Sequence, residues 1–381
     1  MKIALISPYD FACPGGVVAH ISQLHEQFTR MGHYAKVIGP CSHPDPSAVH
    51  RDLIAIGRPI PVPSGGSVAR VTLSPFLGGA MKRILGEGHF DIVHMHEPLG
   101  STLPLTALAV SKSVNVGTFH ACHREPRGYQ VARPFAAWWF RRLDGKIAVS
   151  KPAMRFVGKH LPGDYEIIPN GIDVGHFSAE VPPLDDFDDG KLNILFVGRL
   201  EKRKGLRYLL AAYARVKRVL PESRLVVVGS GDRQPYVRLA KRLGLQDVVF
   251  VGHVRYADLP RYYRAADVFC APATGEESFG IVLLEAMAAS RAIVASANEG
   301  YAGVLSDGEE GLLVPPQDER ATADALVTVL SDESLRRRMG EKGRATADEY
   351  SWANVAARIL DYYERLLEQR RVAPCGADGM T

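Results

Sequence analysis

Residues 1–39 read MKIALISPYDFACPGGVVAHISQLHEQFTRMGHYAKVIG, and this stretch predicts the fold of the first half of the chain. Lys2 to Ser7 is a short apolar run typical of a strand, and a Pro14-Gly15-Gly16 turn follows it. A second apolar run, Tyr34 to Ile38, comes after residues that recur at helical spacing: Val18, Ile21, Leu24, Phe28 and Met31. Strand, helix and strand in this order predict a βαβ unit with parallel strands.

Strand-like and helix-like runs alternate along the rest of the chain, and a second series begins at Leu192. Such alternation is typical of parallel sheets covered by helices on both faces. The predicted strands are 91–94, 115–119 and 146–149 in the first half, then 193–197, 224–228, 248–251, 268–271, 292–295 and 312–314; helices are predicted at 206–220, 234–243 and 351–371.

The sequence divides into two predicted domains, because a chain of 381 residues exceeds one typical domain. We place the boundary near Asn170-Gly171, just before the polar Pro/Asp-rich connector 181–190. The first domain is then 1–170 and the second is 171–351. Residues 372–381 are predicted to be a disordered tail.

The composition is ordinary for a soluble globular protein, with 46% hydrophobic and 23% charged residues. No run reaches the ~18 apolar residues needed to span a bilayer, and the chain enters a strand directly without a signal peptide. Five scattered cysteines without metal-ligand spacing indicate a reducing cytoplasm. A net charge of +4 permits attraction to anionic surfaces, and the absence of a basic stripe with stacking aromatics predicts no nucleic-acid binding.

The segment Glu277-Ser-Phe-Gly-Ile-Val-Leu-Leu-Glu285 carries the clearest chemical signal. Its apolar run, Ile281 to Ala289, predicts a buried helix, with Glu277 just before the N-terminus and Glu285 about two turns in. Free amides at a helix N-terminus favour phosphate, and carboxylates accept hydrogen bonds from hydroxyls. The segment therefore predicts a site for a phosphorylated, hydroxyl-rich ligand such as a sugar nucleotide.

Several shorter segments also fall at predicted strand ends, where open α/β sheets bind ligands. Arg199 and Lys204 form either a diphosphate clamp or a basic surface loop. Gly15 and Gly16 allow a phosphate to approach the backbone closely, or simply make a turn. His120 follows the strand 115–119 and is either an active-site residue or a structural one.

Taken together, the segments resemble the retaining glycosyltransferases of family 4, and within that family the phosphatidylinositol mannosyltransferases. The resemblance rests on Gly66-Ser67-Val68-Ala69-Arg70, His94-Met-His-Glu97-Pro98, Thr118-Phe-His120, Ile168-Pro-Asn-Gly-Ile-Asp173 and Glu276-Glu-Ser-Phe-Gly-Ile-Val-Leu-Leu-Glu285. It implies the GT-B fold, an α/β architecture in which two Rossmann-like domains face each other across a cleft. It also implies that the last helix, 352–371, crosses back onto the first domain.

The resemblance implies roles for individual residues. His120 would orient the sugar or the acceptor, Arg199 and Lys204 would stabilise the leaving diphosphate, and Glu277 would hold the sugar hydroxyls. Those four are the implied catalytic residues, and Glu285 would bind the ribose. The further implied donor ligands are Gly15, Gly16, His253, Val254, Phe279, Gly280, Ile281 and Val282.

The resemblance also implies the reaction. A hexose, with mannose favoured, would leave a nucleotide diphosphate with retention, while a donor phosphate oxygen takes the acceptor proton. GDP-mannose and UDP-glucose remain open as donors. No cofactor is required, and Mg²⁺ is not obligatory, because no Asp-x-Asp stands in a metal-binding context. The acidic pairs Asp185-Asp186 and Asp188-Asp189 lie in the connector.

The acceptor is predicted to be a lipid or polyol, such as a phosphoinositol-type glycolipid precursor, bound through Ser67 and Arg70. The chain departs from the phosphatidylinositol enzymes, since segment 76–85 carries only two cations, Lys82 and Arg83. The segment Arg133-Pro-Phe-Ala-Ala-Trp-Trp-Phe-Arg-Arg142 resembles an interfacial anchor, or packs in the core. We therefore expect at most weak peripheral association with the anionic inner face of the plasma membrane.

Other functions stay open from the sequence. The same segments would suit a glucosyl- or other hexosyltransferase acting on a soluble or diacylglycerol acceptor, or a nucleotide-sugar epimerase or hydrolase. A protein that only senses a nucleotide sugar would also fit. A dinucleotide oxidoreductase is disfavoured, because the first loop, residues 8–16, lacks the Gly-x-Gly-x-x-Gly pattern.

Overall fold

The computed structural model describes residues 1–64, 67–98, 100–120, 138–182, 184–275 and 277–372. The chain forms two compact units. The first contains Met1–Asn170 together with the chain from Trp352 onward, and the second is Gly171–Ser351.

The first unit is built on a seven-stranded sheet with the order β3-β2-β1-β6-β7-β8-β9, in which every neighbouring pair is parallel. A separate antiparallel hairpin, β4-β5, lies in the same unit. The strands are β1 Lys2–Ile6, β2 Tyr34–Gly39, β3 Leu53–Ala55, β4 Ile60–Ser64, β5 Ser67–Val71, β6 Ile92–His96, β7 Val114–Phe119, β8 Gly145–Ala148 and β9 Glu166–Ile167.

Helices cover the apolar strands of this sheet. The helix Gly16–Arg30 buries one face, and the last helix, Trp352–Val372, packs against the same core through Trp352 and Tyr363. The first and last parts of the chain thus share one hydrophobic core. The described helices of this unit are Gly16–Arg30, Pro46–Val49, Gly78–Gly88, Thr102–Val110, Lys151–His160 and Trp352–Val372.

The second unit is built on a six-stranded parallel sheet with the order β12-β11-β10-β13-β14-β15. Its strands are β10 Leu192–Val197, β11 Ser223–Val228, β12 Val248–Gly252, β13 Val268–Ala271, β14 Ala292–Ser296 and β15 Gly311–Val314. Its described helices are Val174–Ser178, Leu206–Val219, Gln234–Arg242, Leu259–Arg264, Ile281–Ala288, Glu319–Ser331 and Glu333–Glu349. Counted within the unit, the strand order is 3-2-1-4-5-6, the Rossmann order.

The second sheet has a hydrophobic core on each face. Strand residues alternate between the two cores, with Leu195 and Phe269 in one and Ile194 and Val268 in the other. The helix Ile281–Ala288 is apolar around most of its circumference and buries its residues from Leu283 to Ala288 in the first core. Burial on all sides fits such a helix, since a surface helix shows a polar face.

The structure differs from the sequence-based expectation mainly in the first unit. The hairpin β4-β5 was not predicted, because Pro61 and Pro63 remove backbone donors and are depleted in strands. The last helix ends at Val372, inside the segment predicted to be a disordered tail. Residues 373–381, the rest of that segment, lie outside the described residues.

Candidate functional site

The second unit has a topological switch point between β10 and β13, the place where open α/β sheets bind ligands. The strand order runs outward from these two neighbours in opposite directions, the arrangement in which such sheets form a ligand crevice. One loop runs from Gly198 to Gly205, and the other from Pro272 to Gly280. Arg199, Lys204, Glu277, Phe279 and Gly280 were all predicted from sequence and lie on these loops.

The two loops meet through their backbones at Gly205. This residue has φ +76°, and a Cβ added there would lie 1.8 Å from the carbonyl oxygen of Pro272. The Thr274 amide also donates to the carbonyl oxygen of Arg203, at 2.8 Å. Only glycine combines this dihedral with this contact. The glycine therefore fixes how closely the cationic loop approaches the Glu277 loop.

A network of five charged side chains spans the two loops. Glu277 is only 9% exposed, and its Oε1 lies 2.8 Å from Arg203 and 2.7 Å from Lys204 Nζ. Arg203 also contacts Glu201, at 2.9 Å, and Glu201 in turn pairs with Arg199 at 3.0 Å. Three cations and two carboxylates leave an excess of positive charge, which suits a phosphate-bearing ligand.

Both cations approach the same oxygen of Glu277. Oε1 accepts from Arg203 Nη1 and Lys204 Nζ, whereas Oε2 has no hydrogen-bond partner among the described residues. A carboxylate oxygen has two lone pairs, so Oε2 can still accept from hydroxyl groups. Arg203 was not singled out from sequence, because three consecutive cations, 202–204, resemble a solvated loop. Its ion pair with Glu277 is a contact over 74 positions that no local pattern indicates.

Glu285 lies in a different environment, inside the helix Ile281–Ala288. Its side chain is buried, and Tyr263 Oη donates to Glu285 Oε2 at 2.6 Å. Burial raises the pKa of the Glu285 carboxyl to about 7, against smaller lowering effects of the Tyr263 hydrogen bond and the Lys204 charge. Glu285 is thus poised between its neutral and charged forms near pH 7. Tyr263 was missed from sequence, since nothing local distinguishes it from other core tyrosines.

The helix Ile281–Ala288 begins without a side-chain cap among the described residues. Gly280 precedes it with φ +102°, and a Cβ there would lie 2.6 Å from the Tyr301 ring. Leu283 donates its amide back to the Gly280 carbonyl, at 2.9 Å. The amides of Ile281 and Val282 precede that bond, and Phe279 is buried beneath the turn. First-turn amides are donors to which an anionic group can bind.

His253 and Val254 lie farther along the same sheet. They follow β12, the edge strand, which is two strands away from β10. His253 is exposed, and Val254 is half-buried against the core. These two residues are therefore not brought into the charged network of the switch-point loops.

The first unit has its own switch point, between β1 and β6. Gly15 and Gly16 end the loop after β1 and begin the helix Gly16–Arg30. Gly15 is extended, at φ −171°, and a Cβ added to either glycine would meet nothing within 4 Å among the described residues. Packing within the unit therefore does not require glycine at either position, and the space above the backbone is open.

His120 follows β7 and lies in a cluster of aromatic rings. Its backbone amide donates to Glu97 Oε1 at 2.7 Å, and its Nε2 lies 3.1 Å from His96 Nδ1. His20 also contacts it edge to face, with ring centroids 4.7 Å apart. Burial, together with the charges of His20 and His94, holds the pKa of His120 well below its ordinary value. At pH 7 the His120 imidazole is neutral.

The predicted acceptor residues lie on the unpredicted hairpin. Ser67 pairs with Ser64 in the register of β4-β5. Arg70 is exposed, and its carbonyl oxygen accepts from the Asp10 amide at 2.9 Å. Burial and the Asp10 carboxylate raise the pKa of the Cys13 thiol in the loop after β1, and the positive charge of Arg70 opposes that rise.

The predicted membrane-facing residues are partly exposed. Lys82 and Arg83 are exposed on the helix Gly78–Gly88, and Phe76 just before it is 90% exposed. Trp138 is 53% exposed and packs edge to face on a half-buried Trp139. The preceding part of that predicted anchor, residues 133–137, lies outside the described residues. Over the described ranges, no helix has the length and apolar character needed to cross a bilayer.

Comparison with known protein families agrees with this architecture. Residues 14–176 match the family model "Glycosyltransferase Family 4", and residues 183–346 match the model "Glycosyl transferases group 1". The chain belongs to the family 4 glycosyltransferases, and the predicted family, fold class and glycosyltransferase activity are confirmed.

Two curated relatives are similar over nearly their whole length. The chain is 40% identical to a phosphatidyl-myo-inositol mannosyltransferase of Mycobacterium tuberculosis, covering 96% of this chain and 97% of that protein. It is 39% identical to the Mycobacterium leprae protein of the same name, covering 96% of both. Among solved structures, Anabaena HepE in complex with UDP superposes with a TM-score of 0.76, at 19% identity over 96% of this chain and all of that one.

Proposed function

We propose that this glycosyltransferase is a retaining mannosyltransferase that moves mannose from GDP-mannose to a phosphoinositol-type glycolipid precursor. The proposed substrates rest on one observation, the identity of 39–40% to phosphatidyl-myo-inositol mannosyltransferases over 96% of the chain. A similarity this long spans both units, so it includes the donor-side and the acceptor-side segments alike. UDP-glucose remains the alternative donor, since a structural neighbour was solved with UDP-glucose.

The charged network supports roles for the donor-side residues. Arg199, Arg203 and Lys204 offer positive charge to a diphosphate, and the uncapped helix at Ile281 adds backbone donors. As mannose departs, negative charge grows on the leaving diphosphate. Fixed cations and amides stabilise that charge more than they stabilise the ground state, which lowers the barrier.

Two carboxylates would bind the hydroxyl groups of the donor, one those of the sugar and the other those of the ribose. Glu277 Oε2 would accept hydrogen bonds from sugar hydroxyls, while Oε1 stays bound to Arg203 and Lys204. Glu285 would accept from a ribose diol, alongside Tyr263. In the first unit, the neutral imidazole of His120 would bind a sugar hydroxyl. The backbone of Gly16 would contact a donor phosphate, where its missing side chain leaves room.

Retention needs no covalent enzyme intermediate in this scheme. A phosphate oxygen of the donor accepts the proton of the attacking acceptor hydroxyl on the face from which the diphosphate leaves. The enzyme residues then act by positioning and by charge stabilisation rather than by proton transfer. This scheme uses no Mg²⁺, because Arg199, Arg203 and Lys204 would offset part of the diphosphate charge.

The test of this proposal combines a substrate assay with one substitution. Purified protein with GDP-mannose and phosphatidylinositol vesicles should form a mannosylated lipid whose anomeric configuration matches the donor. UDP-glucose, diacylglycerol vesicles and donor alone should each support much slower turnover. Rapid donor consumption without acceptor would instead indicate a hydrolase or epimerase, and inversion at the anomeric carbon would refute the retaining mechanism.

Glu277→Gln should lower turnover tenfold to a thousandfold, or about 1.4–4 kcal/mol of barrier, with little change in nucleotide diphosphate affinity. The matched control is Glu319→Gln, an exposed glutamate of the same unit, which should leave turnover unchanged. Equal losses of turnover and nucleotide affinity in Glu277→Gln would show that the carboxylate only holds the loop together.

We also propose that the acceptor is reached at an anionic membrane surface. Arg70 would bind the acceptor phosphate, and Ser67, at the start of the same strand, would contribute to acceptor binding. Lys82 and Arg83 each contribute roughly 1 kcal/mol of attraction to an anionic bilayer, so binding should be weak and salt-sensitive. Liposome flotation should rise with anionic lipid and fall in Trp138→Ala. Equal flotation on neutral and anionic vesicles at low salt would refute this part of the proposal.

A further inference from the structure

Three histidines of the first unit come together from three separate elements. His20 lies in the helix Gly16–Arg30, His96 ends β6, and His120 follows the neighbouring strand β7. One ring nitrogen of each lies within 4.8 Å of those of the other two. Tetrahedral zinc holds its ligand nitrogens at about 2.0–2.1 Å, so that any two are separated by roughly 3.4 Å. The most distant pair of these nitrogens would have to approach by at most about 1.4 Å, the difference between 4.8 and roughly 3.4 Å.

Two ring nitrogens in the cluster are buried without a partner. Within the described part of the chain, His20 Nε2 and His96 Nε2 make no hydrogen bond, although His20 is 4% exposed and His96 is fully buried. Buried polar atoms in folded proteins are nearly always paired, so an orphan calls for a ligand. A metal ion would explain the orphan at His20 Nε2, whereas His96 would bind through Nδ1 and keep its Nε2 unpaired. The surroundings are tightly packed with aromatic rings, including Trp352 against His20.

The tautomer of His20 is set by its other nitrogen. His20 Nδ1 lies 3.0 Å from Asn170 Oδ1, and an amide oxygen only accepts, so Nδ1 carries the hydrogen. Nε2 is then an unprotonated lone pair in the buried cluster. A histidine that donates one N–H to a carbonyl while its second nitrogen is free is the usual arrangement of a metal ligand and its supporting residue.

His96 and His120 already lie at the separation that two ligands of one ion would have. His96 Nδ1 and His120 Nε2 are 3.1 Å apart and share one hydrogen. A metal ion can replace that hydrogen, because both nitrogens can then direct lone pairs at the ion. Burial lowers the pKa of His20 to about 4 and those of His96 and His120 well below the ordinary value.

We propose that His20, His96 and His120 bind a first-row transition-metal ion of the Zn²⁺ type. Imidazole nitrogens suit Zn²⁺, Co²⁺ and Ni²⁺, whereas Mg²⁺ prefers oxygen. Three protein ligands leave the fourth position open to water or another small ligand. The ion occupies a ring nitrogen of His120, so the metal-bound protein is inhibited as a transferase. That last consequence rests on the proposed function of His120, and the metal site itself does not.

Metal binding is measured first without any activity assay. Co²⁺ added to metal-free protein should give the visible absorption of tetrahedral Co²⁺ at one equivalent, and Zn²⁺ should displace it. His20→Gln should weaken Zn²⁺ binding at least tenfold in calorimetric titration. The controls are His25→Gln, a buried histidine of the same unit, and His43→Gln, an exposed one; both should bind like the wild type. Mg²⁺ should produce no signal.

X-ray absorption of the zinc-loaded wild type covers the case in which His20→Gln fails to fold. Three imidazole scatterers at about 2.0 Å are expected, and fewer than two would overturn the site. Unchanged zinc affinity in folded His20→Gln would overturn it as well. In the transferase assay, excess Zn²⁺ should inhibit the wild type, and a chelator should restore its activity. Full activity of protein shown to hold one zinc ion would overturn the inhibitory consequence while leaving the metal site in place.

Discussion

Replacing Glu285 by glutamine should stabilise the protein above pH 7. The Glu285 side chain is buried, and burial raises its carboxyl pKa from 4.5 to about 7. Above pH 7 the folded protein must therefore carry an ionised carboxylate in an apolar helix, with Tyr263 as its one hydrogen-bond donor among the described residues. Glutamine has nearly the same shape and accepts the same bond from Tyr263 through its amide oxygen, but it carries no charge.

The sign and the size of this change in unfolding free energy follow from proton linkage. Between pH 4.5 and pH 7 the folded state binds the Glu285 proton more tightly than the unfolded state does, so stability falls as pH rises. The cost is complete above pH 7, and the change from 4.5 to about 7 corresponds to roughly 3 kcal/mol. Glu285→Gln removes this cost. The gain in unfolding free energy should approach that value at pH 8.5 and nearly vanish below pH 4.5.

Urea unfolding followed by circular dichroism at pH 5 and pH 8.5 measures this gain. Hydrogen exchange of Ile281–Ala288 reports it locally, which matters because a chain of two units need not unfold in one step. Glu310→Gln is the matched control, since Glu310 is also buried but accepts from the Ser306 amide and the Thr346 hydroxyl through different oxygens. Glutamine can replace only one of those acceptors, so this control should lose stability at both pH values.

The prediction is wrong if Glu285→Gln is less stable than the wild type at pH 8.5, or if its unfolding free energy rises equally at both pH values. Either outcome would mean that the charge of the buried Glu285 carboxylate is not what destabilises the wild-type protein. The same variant should bind the nucleotide diphosphate at least tenfold more weakly, because a neutral amide has lost one acceptor for the ribose diol. Greater stability together with weaker nucleotide binding would show that the Glu285 carboxylate serves binding rather than folding.

Substitutions at three further positions, Gly205, Gly16 and Arg203, test the loops after β10 and β1. Gly205→Ala should cost more than 2 kcal/mol of unfolding free energy through its overlap with the Pro272 carbonyl, whereas Gly244→Ala, at φ +65° with open space, should cost about 1 kcal/mol in the same urea titration. Gly16→Ala should leave the melting temperature unchanged, because its Cβ meets no described atom, yet raise the KM for the donor. Arg203→Gln should reduce kcat at least tenfold, and Arg203→Lys should restore part of it; equal activity of both with the wild type would exclude Arg203 from the site.

The sheet of the second unit could be predicted from sequence almost strand by strand. Its central strands are buried on both faces, so they are mostly apolar runs such as Leu192–Val197, and each strand ends at or just before a glycine, a proline or a polar residue. The helix Ile281–Ala288 was predicted to within one residue for the same reason. Apolar runs bounded by turn residues are local signals, and the parallel order follows from their alternation with helices.

What the sequence did not reveal are the contacts between distant segments. Arg203 meets Glu277 over 74 positions, Tyr263 meets Glu285 over 22, and His20 meets Asn170 over 150. Side-chain spacing along one element cannot report such pairs. The hairpin β4-β5 was missed for a different reason. Two prolines in β4 argue against a strand when the sequence is read alone, yet both residues pair in the antiparallel register with β5.

The two glutamates of the segment 277–285 show why spacing alone did not define their chemistry. Glu277 lies outside the helix, and one of its oxygens is paired with two cations, Arg203 and Lys204. Glu285 lies inside the helix, away from solvent, with a pKa near 7. The two identical side chains thus lie in opposite environments, one on a charged loop and the other in an apolar helix, which suits them to different tasks. In the role proposed for Glu285, binding of a diol must also draw that carboxyl into its ionised form. Nucleotide affinity should then rise with pH through about 7 in the wild type, and this dependence should disappear in Glu285→Gln.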